Sequence, residues 1–407
     1  MLVLADDLTG ALDTSVKLKT SLNQALVLNS LEDLKMFGTI DLYNKIISLN
    51  TNSRNLDQQS AYNLMVEYIE NLKDLIGCES DLSKFQVYKK IDSTLRGNIS
   101  SEIAAFLDTD FVDKIIFCSA NPEQNRVVKD GLLYVDGKIV EETPSGRDPF
   151  SSVNSSSVVE IINAYRAHNV VHILPNKFGK YDYEDETLKD AIDKNQIISF
   201  DAATQVHLWQ IVHIYTELSK KNKVLLCGSA GLADALSKEK IFNNKSILVI
   251  SGSLHPVSMS QMDFLIKKNP SFNHLEYNPK YSISENVMRV IDSFLKIGKS
   301  SFRTSSVFNN ERKDMINNFW VELGEKLSKI ENLILVINGG ETASLILKGM
   351  GQNVLRIDKE IIEGSVMSWT ENKNIIITKS GGFGTSETLH KIIQLTGGEI
   401  FDSNNNG

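Results

Sequence analysis

Short runs of apolar, often β-branched residues alternate along the chain with longer segments in which apolar residues recur at helical spacing. This alternation is typical of parallel sheets covered by helices. In the N-terminal half it predicts strands at Met1–Ala5, Lys45–Leu49, Phe85–Ile91, Lys114–Cys118, Val170–Leu174, Ile197–Phe200 and Val224–Cys227. It predicts helices that include Thr14–Leu22, Gln58–Leu75, Asp185–Asp193 and Ala203–Ser219.

A second series of the same kind follows in the C-terminal part of the chain. Its predicted strands are Ser246–Ile250, Leu333–Ile337 and Asn374–Thr378. The polar stretch Ser237–Lys245 lies between the two series and is the predicted linker. We therefore expect an α/β protein of two domains, residues 1–238 and 246–407, each with a mostly parallel sheet flanked by helices.

Three segments lack a regular pattern. Asn121–Val153 is rich in glycine and proline, which predicts a long loop or hairpin over the surface. Gly298–Glu311 is polar and serine-rich and is also predicted to be irregular. The asparagine-rich tail Asn404–Gly407 is expected to fray.

Composition narrows the class of protein. The chain has 407 residues, too many for one ordinary core, and its formal net charge of −8 argues against nucleic-acid binding. The cysteines Cys78, Cys118 and Cys227 are far apart and are expected to be buried free thiols.

Membrane insertion and secretion are not expected. No stretch reaches the roughly 18 apolar residues of a membrane helix, so no membrane partner is predicted. The first apolar run ends at Asp6-Asp7, too early for a signal peptide, and a cytoplasmic location is expected.

Carboxylates follow the first predicted strand. Asp6 and Asp7 come directly after it and Asp13 lies just beyond. Because ligands bind at the carboxyl ends of parallel strands, these groups are candidates to bind substrate hydroxyls, and one to deprotonate a hydroxyl. The alternative is an ordinary helix cap with acids at the positive end of the helix dipole.

Cations follow another predicted strand. Lys90 and Arg96 bracket the predicted start of a helix that runs through Glu102–Leu107, with Asp92 or Ser93 as its N-cap. Cationic side chains and free backbone N–H groups at such a position suit a carboxylate or phosphate. Arg54 follows a neighbouring strand and could add a bidentate contact. Taken singly, each lysine or arginine is more often a solvated surface charge.

Three loops of small residues follow strands in the C-terminal half. Glycines let the backbone approach an anion, and a helix N-terminus supplies unpaired N–H donors, so three such loops predict a nucleotide polyphosphate site. Tight turns are the alternative for each loop alone. The candidate residues are Ser251, Gly252, Ser253, Gly339, Gly340, Glu341, Thr342, Lys379, Gly381 and Gly382.

Other nucleotide and metal motifs are missing from the sequence. Lys379-Ser380 precedes its glycines, so the last loop is not a Walker A motif, and no G-x-G-x-x-G follows a strand. Lys379 could neutralise phosphate or end a strand, and His255 could be structural or catalytic. The histidines show no metal-ligand spacing, so the metal ligands are not predicted.

These motifs resemble those of the four-carbon acid sugar kinase family, which includes 3-oxo-tetronate, threonate and erythronate kinases. The resemblance covers nearly the whole chain. The similar segments are Ala5–Ala11 (A-D-D-x-T-G-A), Lys90–Asn98 (K-I-D-S-T-L-R-G-N), Gly228–Ala233, Ser251–Ser253, Gly339–Ala343 and Lys379–Gly384. The chain departs from the family pattern at Gly382, at Gln124-Asn125-Arg126 and at Glu341.

The resemblance implies ATP- and Mg²⁺-dependent phosphorylation of a four-carbon sugar acid at a terminal hydroxyl. It implies a sugar-acid domain at 1–238 and a nucleotide domain at 246–407, with a homodimer as the default assembly. Asp7 or Asp13 would be catalytic. The implied substrate contacts are Asp6, Arg54, Lys90, Asp92, Ser93 and Arg96.

Other functions stay open at this stage. An isomerase or dehydrogenase acting on sugar acids is disfavoured by the missing dinucleotide fingerprint. A non-catalytic sensor of nucleotide and sugar acid, or a kinase of a different small hydroxy acid, remains as an alternative.

Overall fold

The computed structural model describes residues 1–19, 24–36, 45–76, 86–177, 179–183, 185–242, 245–304 and 313–396. The chain divides into two compact units, Met1–Lys240 and Ile241–Gly407. Each unit has a mostly parallel sheet with helices, which confirms the predicted α/β class.

The strands of the first unit are β1 (Leu2–Ala5), β2 (Ala25–Leu28), β3 (Ile46–Asn50), β4 (Val87–Lys90), β5 (Lys114–Cys118), β6 (Arg126–Lys129), β7 (Leu132–Val135), β8 (Lys138–Ile139), β9 (Val170–Ile173), β10 (Ile197–Phe200) and β11 (Val224–Gly228). Its helices are α1 (Leu8–Leu18), α2 (Leu31–Lys35), α3 (Gln58–Ile76), α4 (Ile99–Asp108), α5 (Val158–Ile162), α6 (Glu186–Lys194), α7 (Gln205–Leu218) and α8 (Ala230–Phe242).

The main sheet of the first unit is parallel throughout its described strands, in the order β2-β3-β1-β4-β11-β5-β10-β9. Strands β2 and β3 lie on one side of β1, and β4 lies on the other, so the direction of winding changes between β1 and β4. In register, Ala5 pairs with Asn50 and with Lys90. The carboxyl ends of β3, β1 and β4 are therefore level, at the position where open α/β sheets bind ligands.

A small antiparallel sheet, β6-β7-β8, occupies part of the segment predicted as a loop or hairpin. Its first turn is fixed by the buried Asp201, whose two carboxylate oxygens accept the backbone N–H groups of Asp130 and Gly131 at 2.7 and 3.0 Å. His172 Nε2 lies 2.8 Å from Asp201 Oδ1. The cluster joins the small sheet to strands β9 and β10.

The strands of the second unit are β12 (Ser246–Ser251), β13 (Asn273–Glu276), β14 (Lys299–Arg303), β15 (Leu333–Asn338), β16 (Arg356–Ile362), β17 (Ser365–Trp369) and β18 (Ile375–Lys379). Its helices are α9 (Pro256–Lys268), α10 (Ile283–Ile297), α11 (Lys313–Leu327), α12 (Gly340–Gly349) and α13 (Thr388–Leu395).

The second sheet has the order β13-β14-β12-β15-β18-β17-β16, with β16 and β17 antiparallel to their neighbours. Alternate residues of β12 enter different cores: Leu248 and Ile250 pack with α10 and α11, whereas Val249 packs with α9 and α13. Because both faces are covered, the central strands β12 and β15 are nearly continuous apolar runs rather than alternating ones.

Several sequence predictions differ from the structure. Helix α1 begins at Leu8 and ends at Leu18, because Lys19 is extended, so the predicted Thr14–Leu22 was wrong at Lys19; residues 20–23 lie outside the described part of the chain. Strand β14 lies in the segment predicted as irregular, where parallel pairing with β12 overrides its polar composition.

The segment predicted as the linker begins within helix α8, which continues to Phe242. Cys118 and Cys227 are buried free thiols, while Cys78, Phe85 and the tail Asn404–Gly407 lie outside the described residues. Within the described residues, no helix is both long and apolar enough to cross a membrane.

We predict that Asp201→Asn lowers the free energy of unfolding by about 1–3 kcal/mol near neutral pH, because two backbone N–H groups lose the charged acceptor that the buried Asp201 provides. Burial raises the pKa of Asp201, but hydrogen bonds from His172 and from the Asp130 and Gly131 backbone outweigh it, and the pKa is lowered overall. The stabilisation is thus present above the ordinary carboxyl pKa and lost as pH falls through the lowered value.

Urea unfolding of both proteins at pH 7 and at acidic pH measures this difference, which should shrink below about pH 4. Asp193→Asn, at an exposed position, is the matched control. An Asp201→Asn protein as stable as the control at pH 7 would show that the cluster does not hold the small sheet.

Candidate functional site

The carboxyl edge of the first sheet brings together charges from three strands. Asp6 and Asp7 follow β1, Arg54 follows β3, and Asp92 follows β4. Arg54 Nε lies 2.7 Å from Asp6 Oδ2, and its Nη2 lies 2.9 Å from Asp7 Oδ1 and 3.9 Å from Asp92 Oδ1. One guanidinium thus links three carboxylates. Burial lowers the pKa of Arg54. The hydrogen bond to Asp6 and the negative charges of the neighbouring aspartates raise it by more, so the pKa is raised overall.

Asp92 is the centre of a second arginine contact. Arg96 Nε and Nη2 lie 2.8 and 3.2 Å from the two Asp92 oxygens, and Thr94 Oγ1 also donates to Asp92. Leu95 has a positive φ of 62°, which closes the turn between them. Burial raises the pKa of Asp92, but the bonds from Arg96 and Thr94 hold it well below its usual value.

Lys90 is the last residue of β4 and is 5% exposed. Within the described residues its ammonium forms no hydrogen bond or ion pair. Burial lowers its pKa, and the charges of Asp6, Asp92 and Asp7 oppose this only in part. A buried cation without a direct partner is costly, so this position suits an anionic ligand.

The missing side chain of Gly10 leaves room for the Lys90 ammonium. A Cβ at Gly10 would lie 2.5 Å from Asp7 Oδ1 and 2.8 Å from Lys90 Nζ. Asp7 is the N-cap of α1, and its Oδ1 accepts the Gly10 N–H at 2.9 Å. The capping alternative considered for Asp7 is therefore real, but Arg54 binds the same oxygen.

A buried ion pair lies behind these groups. Lys89 Nζ is 3.0 Å from Glu102 Oε2, and both side chains are almost inaccessible. Ser53 Oγ donates to the other Glu102 oxygen, and the Asn98 amide donates to the Ser53 and Leu56 carbonyls at 2.9 and 2.7 Å. These bonds fix the segment that presents Arg54 to the site.

Two predicted site residues make no such contacts. Asp13 is half-buried on α1 and Ser93 is half-buried after β4; in the described part of the chain neither side chain forms a hydrogen bond or ion pair. Asp92 and Ser93 are also not the N-cap predicted for the following helix, since α4 begins at Ile99 after Asn98.

In the second unit, three neighbouring strands end level at Ser251, Asn338 and Lys379. The loops that follow approach closely. A Cβ at Gly252 would overlap Thr342 and lie 2.9 Å from the Trp320 ring, and a Cβ at Gly381 would lie 2.7 Å from Ser253 Oγ. The three small-residue loops predicted to act together therefore lie side by side.

The last loop is held by helix α9. Ser258 Oγ donates to the Gly381 carbonyl at 2.6 Å, and the Gln261 amide donates to the Phe383 and Thr385 carbonyls at 2.9 Å. Helix α13 follows this loop and begins at Thr388. His255 has a structural role as N-cap of α9, where Nδ1 accepts the Val257 N–H.

A cavity of about 130 Å³ adjoins the loops. Its apolar wall and polar groups suit a heterocyclic ring with hydrogen-bonding edges. The lining residues are Gly252, Leu254, Thr304, Ile316, Asn317, Trp320, Glu341, Thr342 and Leu345.

Lys379 is 2% exposed and donates to the Ser380 carbonyl at 2.7 Å and to Asn338 Oδ1 at 3.4 Å. No carboxylate of the described residues pairs with it. Burial lowers its pKa to about 8.

Sequence reasoning missed several residues of both sites. The Lys89–Glu102 ion pair could not be predicted, because a buried ion pair between distant residues leaves no recognisable pattern in the sequence. Asp148, which lies 3.1 Å from Arg96, was in the segment assigned to the surface. The cavity residues Asn317 and Trp320 come from helix α11, far from the loops in sequence.

Comparison with known proteins agrees with these two units. Residues 1–236 match the model of a sugar-binding N-terminal domain, and residues 248–389 match that of a nucleotide-binding C-terminal domain. A sugar-binding domain followed by a nucleotide-binding domain, in a chain similar to named kinases, defines the class of protein as a two-domain kinase. The chain belongs to the four-carbon acid sugar kinase family.

The chain is similar to the D-threonate kinase of Salmonella typhimurium, at 25% identity over 96% of both chains. It is 31% identical to the D-erythronate kinase of Heliobacterium modesticaldum over 64% of this chain and 59% of that one. The 3-oxo-tetronate kinase of Haemophilus influenzae is 23% identical over 95% and 97% of the two chains.

The same fold occurs in a domain of unknown function from Bordetella bronchiseptica, whose crystal structure is a domain-swapped dimer with bound citrate. The TM-score is 0.78 at 20% identity, and the match covers 97% of this chain and 98% of that one.

We predict that Glu102→Gln lowers the free energy of unfolding by about 3–5 kcal/mol, because the buried Lys89 ammonium loses its carboxylate. Urea unfolding measures the change, and Glu67→Gln, at an exposed position on α3, is the matched control. Lys89→Met/Glu102→Leu should recover most of the loss, since an apolar pair leaves no buried charge. A Glu102→Gln protein as stable as the control would contradict this.

Proposed function

We propose that this protein transfers the γ-phosphoryl group of ATP to a terminal hydroxyl of a four-carbon sugar acid. The observation that most supports this is Lys90, a buried cation that has no direct partner in the described part of the chain and lies among carboxylates that can bind hydroxyls. The names of the relatives, kinases of threonate, erythronate and 3-oxo-tetronate, support the substrate class.

The sugar acid would bind at the first carboxyl edge. Its carboxylate would contact Lys90 and the outer edge of the Arg96 guanidinium, and its hydroxyls would donate to Asp7 and Asp92. Arg54 is already neutralised by Asp6 and Asp7, so it would hold these carboxylates in place rather than bind the acid itself. Asp7 uses Oδ1 for Gly10 and Arg54, which leaves Oδ2 to accept the proton of the attacking hydroxyl.

ATP would bind at the second carboxyl edge. Its phosphates would contact the loops at Ser251–Ser253, Gly339–Thr342 and Gly381-Gly382, with Lys379 neutralising charge. Its base would enter the cavity beside Trp320 and Asn317. Mg²⁺, when bound with ATP, would supply neutralisation of the phosphate charge. Within the described residues no group of three or more His, Cys, Asp or Glu could hold a metal, so the ion would enter mainly on the phosphates.

The proposal also covers location, assembly and two alternative functions. A cytoplasmic location fits the use of ATP, and a homodimer fits the dimeric Bordetella bronchiseptica structure. A sensor that binds both ligands without turnover is the second candidate, and a kinase of another small hydroxy acid is the third.

An ADP-release assay with Mg-ATP and the isomers of threonate, erythronate and 3-oxo-tetronate tests the proposal. We expect turnover with at least one acid. Binding of ATP and of an acid without turnover would favour the sensor, and turnover only with other hydroxy acids would change the substrate class.

Two variants test the assignment of the base. Asp7→Asn should lower kcat by about 100-fold or more with a small change in KM, because loss of a general base costs roughly this amount. Asp13→Asn, the other candidate, should change kcat by less than about tenfold, since Asp13 lies outside the Arg54 cluster. A larger loss in Asp13→Asn would assign the base to that residue.

We predict that ATP affinity falls as pH rises from 7 to 9. Lys379, with its pKa near 8, is charged below this value and neutral above it, so the attraction for phosphate is lost on the alkaline side. Calorimetric titration at both pH values measures the effect, which Lys379→Met should abolish and Lys348→Met, at an exposed position on α12, should retain. An unchanged pH dependence in Lys379→Met would exclude this role.

A further inference from the structure

A loop of the small-sheet region lies against the sugar-acid site. Residues 147–152, which we call the flap, contact the segment after β4 at two points. Asp148 Oδ2 lies 3.1 Å from Arg96 Nη1, and the Gly97 N–H donates to Ser151 Oγ at 2.9 Å. The flap therefore touches the same arginine that we assign to the substrate.

The flap has a closed base. The Val153 N–H donates to the Gly146 carbonyl at 2.8 Å, and the Gly146 N–H donates to Thr143 Oγ1 at 3.2 Å. A Cβ at Gly146 would overlap the Val140 carbonyl, so the chain packs tightly there. At the tip, Phe150 is 84% exposed. The loop is thus anchored at its base, and its tip packs little.

The two carboxylate oxygens of Asp148 have different partners. Oδ1 accepts the N–H groups of Phe150 and Ser151 at 2.9 and 3.0 Å, which shapes the flap. Oδ2 is left for Arg96. These two backbone N–H groups therefore orient the carboxylate toward the guanidinium.

Each of the three guanidinium nitrogens of Arg96 already has a carboxylate partner. Asp92 takes Nε and Nη2 on one side, and Asp148 takes Nη1 at the end. The Arg96 and Asp148 side chains are each 26% exposed, so solvent and ligands can reach this contact. A substrate carboxylate that approaches Arg96 must compete with Asp148, whereas Asp92 is buried and held by Thr94 as well.

We propose that Asp148 is a specificity-determining residue that stands in for the substrate carboxylate on Arg96 and is displaced when the sugar acid binds. This rests on the proposed function, since the displacing group is the carboxylate of the sugar acid. Displacement opens the flap. A neutral sugar cannot displace the charged contact, so the exchange selects acids over sugars of the same size.

The test is calorimetric binding of D-threonate and D-erythronate to the full chain. Asp148→Asn should bind the acid about threefold to tenfold more tightly than wild type, because one competing charge at a partly exposed ion pair is removed. Glu142→Gln, which removes an exposed charge from the same region, should bind like wild type. In an Arg96→Gln background, Asp148→Asn should give no gain, a coupling that a purely structural role would not produce.

Flap opening is measured separately, by the rate at which chymotrypsin cleaves the chain after Phe150. Saturating acid should speed this cleavage in wild type, and Asp148→Asn should be cleaved fast without ligand. Equal or weaker acid binding by Asp148→Asn overturns the inference and leaves the proposed function intact. If no acid binds either protein, the proposed substrate class and the inference both fail.

Discussion

Level pairing of parallel strands is the constraint on which both sites depend. Because Ala5 pairs with Lys90 and Ser251 with Asn338, the residues that follow these strands must emerge at one edge. The direction of winding changes between the same strands, which leaves a crevice there. The loops carry the functional groups, but the register of the strands determines which loops lie next to each other.

Each unit keeps one lysine at this edge without a carboxylate in ion-pair contact, as far as the described residues go. Lys90 ends β4 and Lys379 ends β18, both are buried, and burial lowers the pKa of each. The arginines, in contrast, are neutralised by aspartates. This division suggests that the lysines receive anions, while Arg54 orients the carboxylates of the site.

The first site also shows how a polar region can be rigid. The Lys89–Glu102 pair and the Asn98 amide fix the backbone beneath it, so Arg54 and Asp92 need no solvent to orient them. On the other side, the flap reaches Arg96 through one ion pair and Gly97 through one hydrogen bond. Rigidity below and a lightly held loop above suit a site that must admit and release a small acid.

The sequence by itself determined the fold class, because parallel strands that are covered on both faces are nearly continuous apolar runs, as at β10 and β15. It also identified the strand-end residues Asp7, Lys90 and Lys379, since glycine, charge and strand end are adjacent in the chain. Only the tertiary structure decided that Asp13 stays apart from the Arg54 cluster and that β14 is a strand. It alone joined Asp148 to Arg96 and Lys89 to Glu102, because such contacts form between segments distant in sequence and leave no periodic pattern in either.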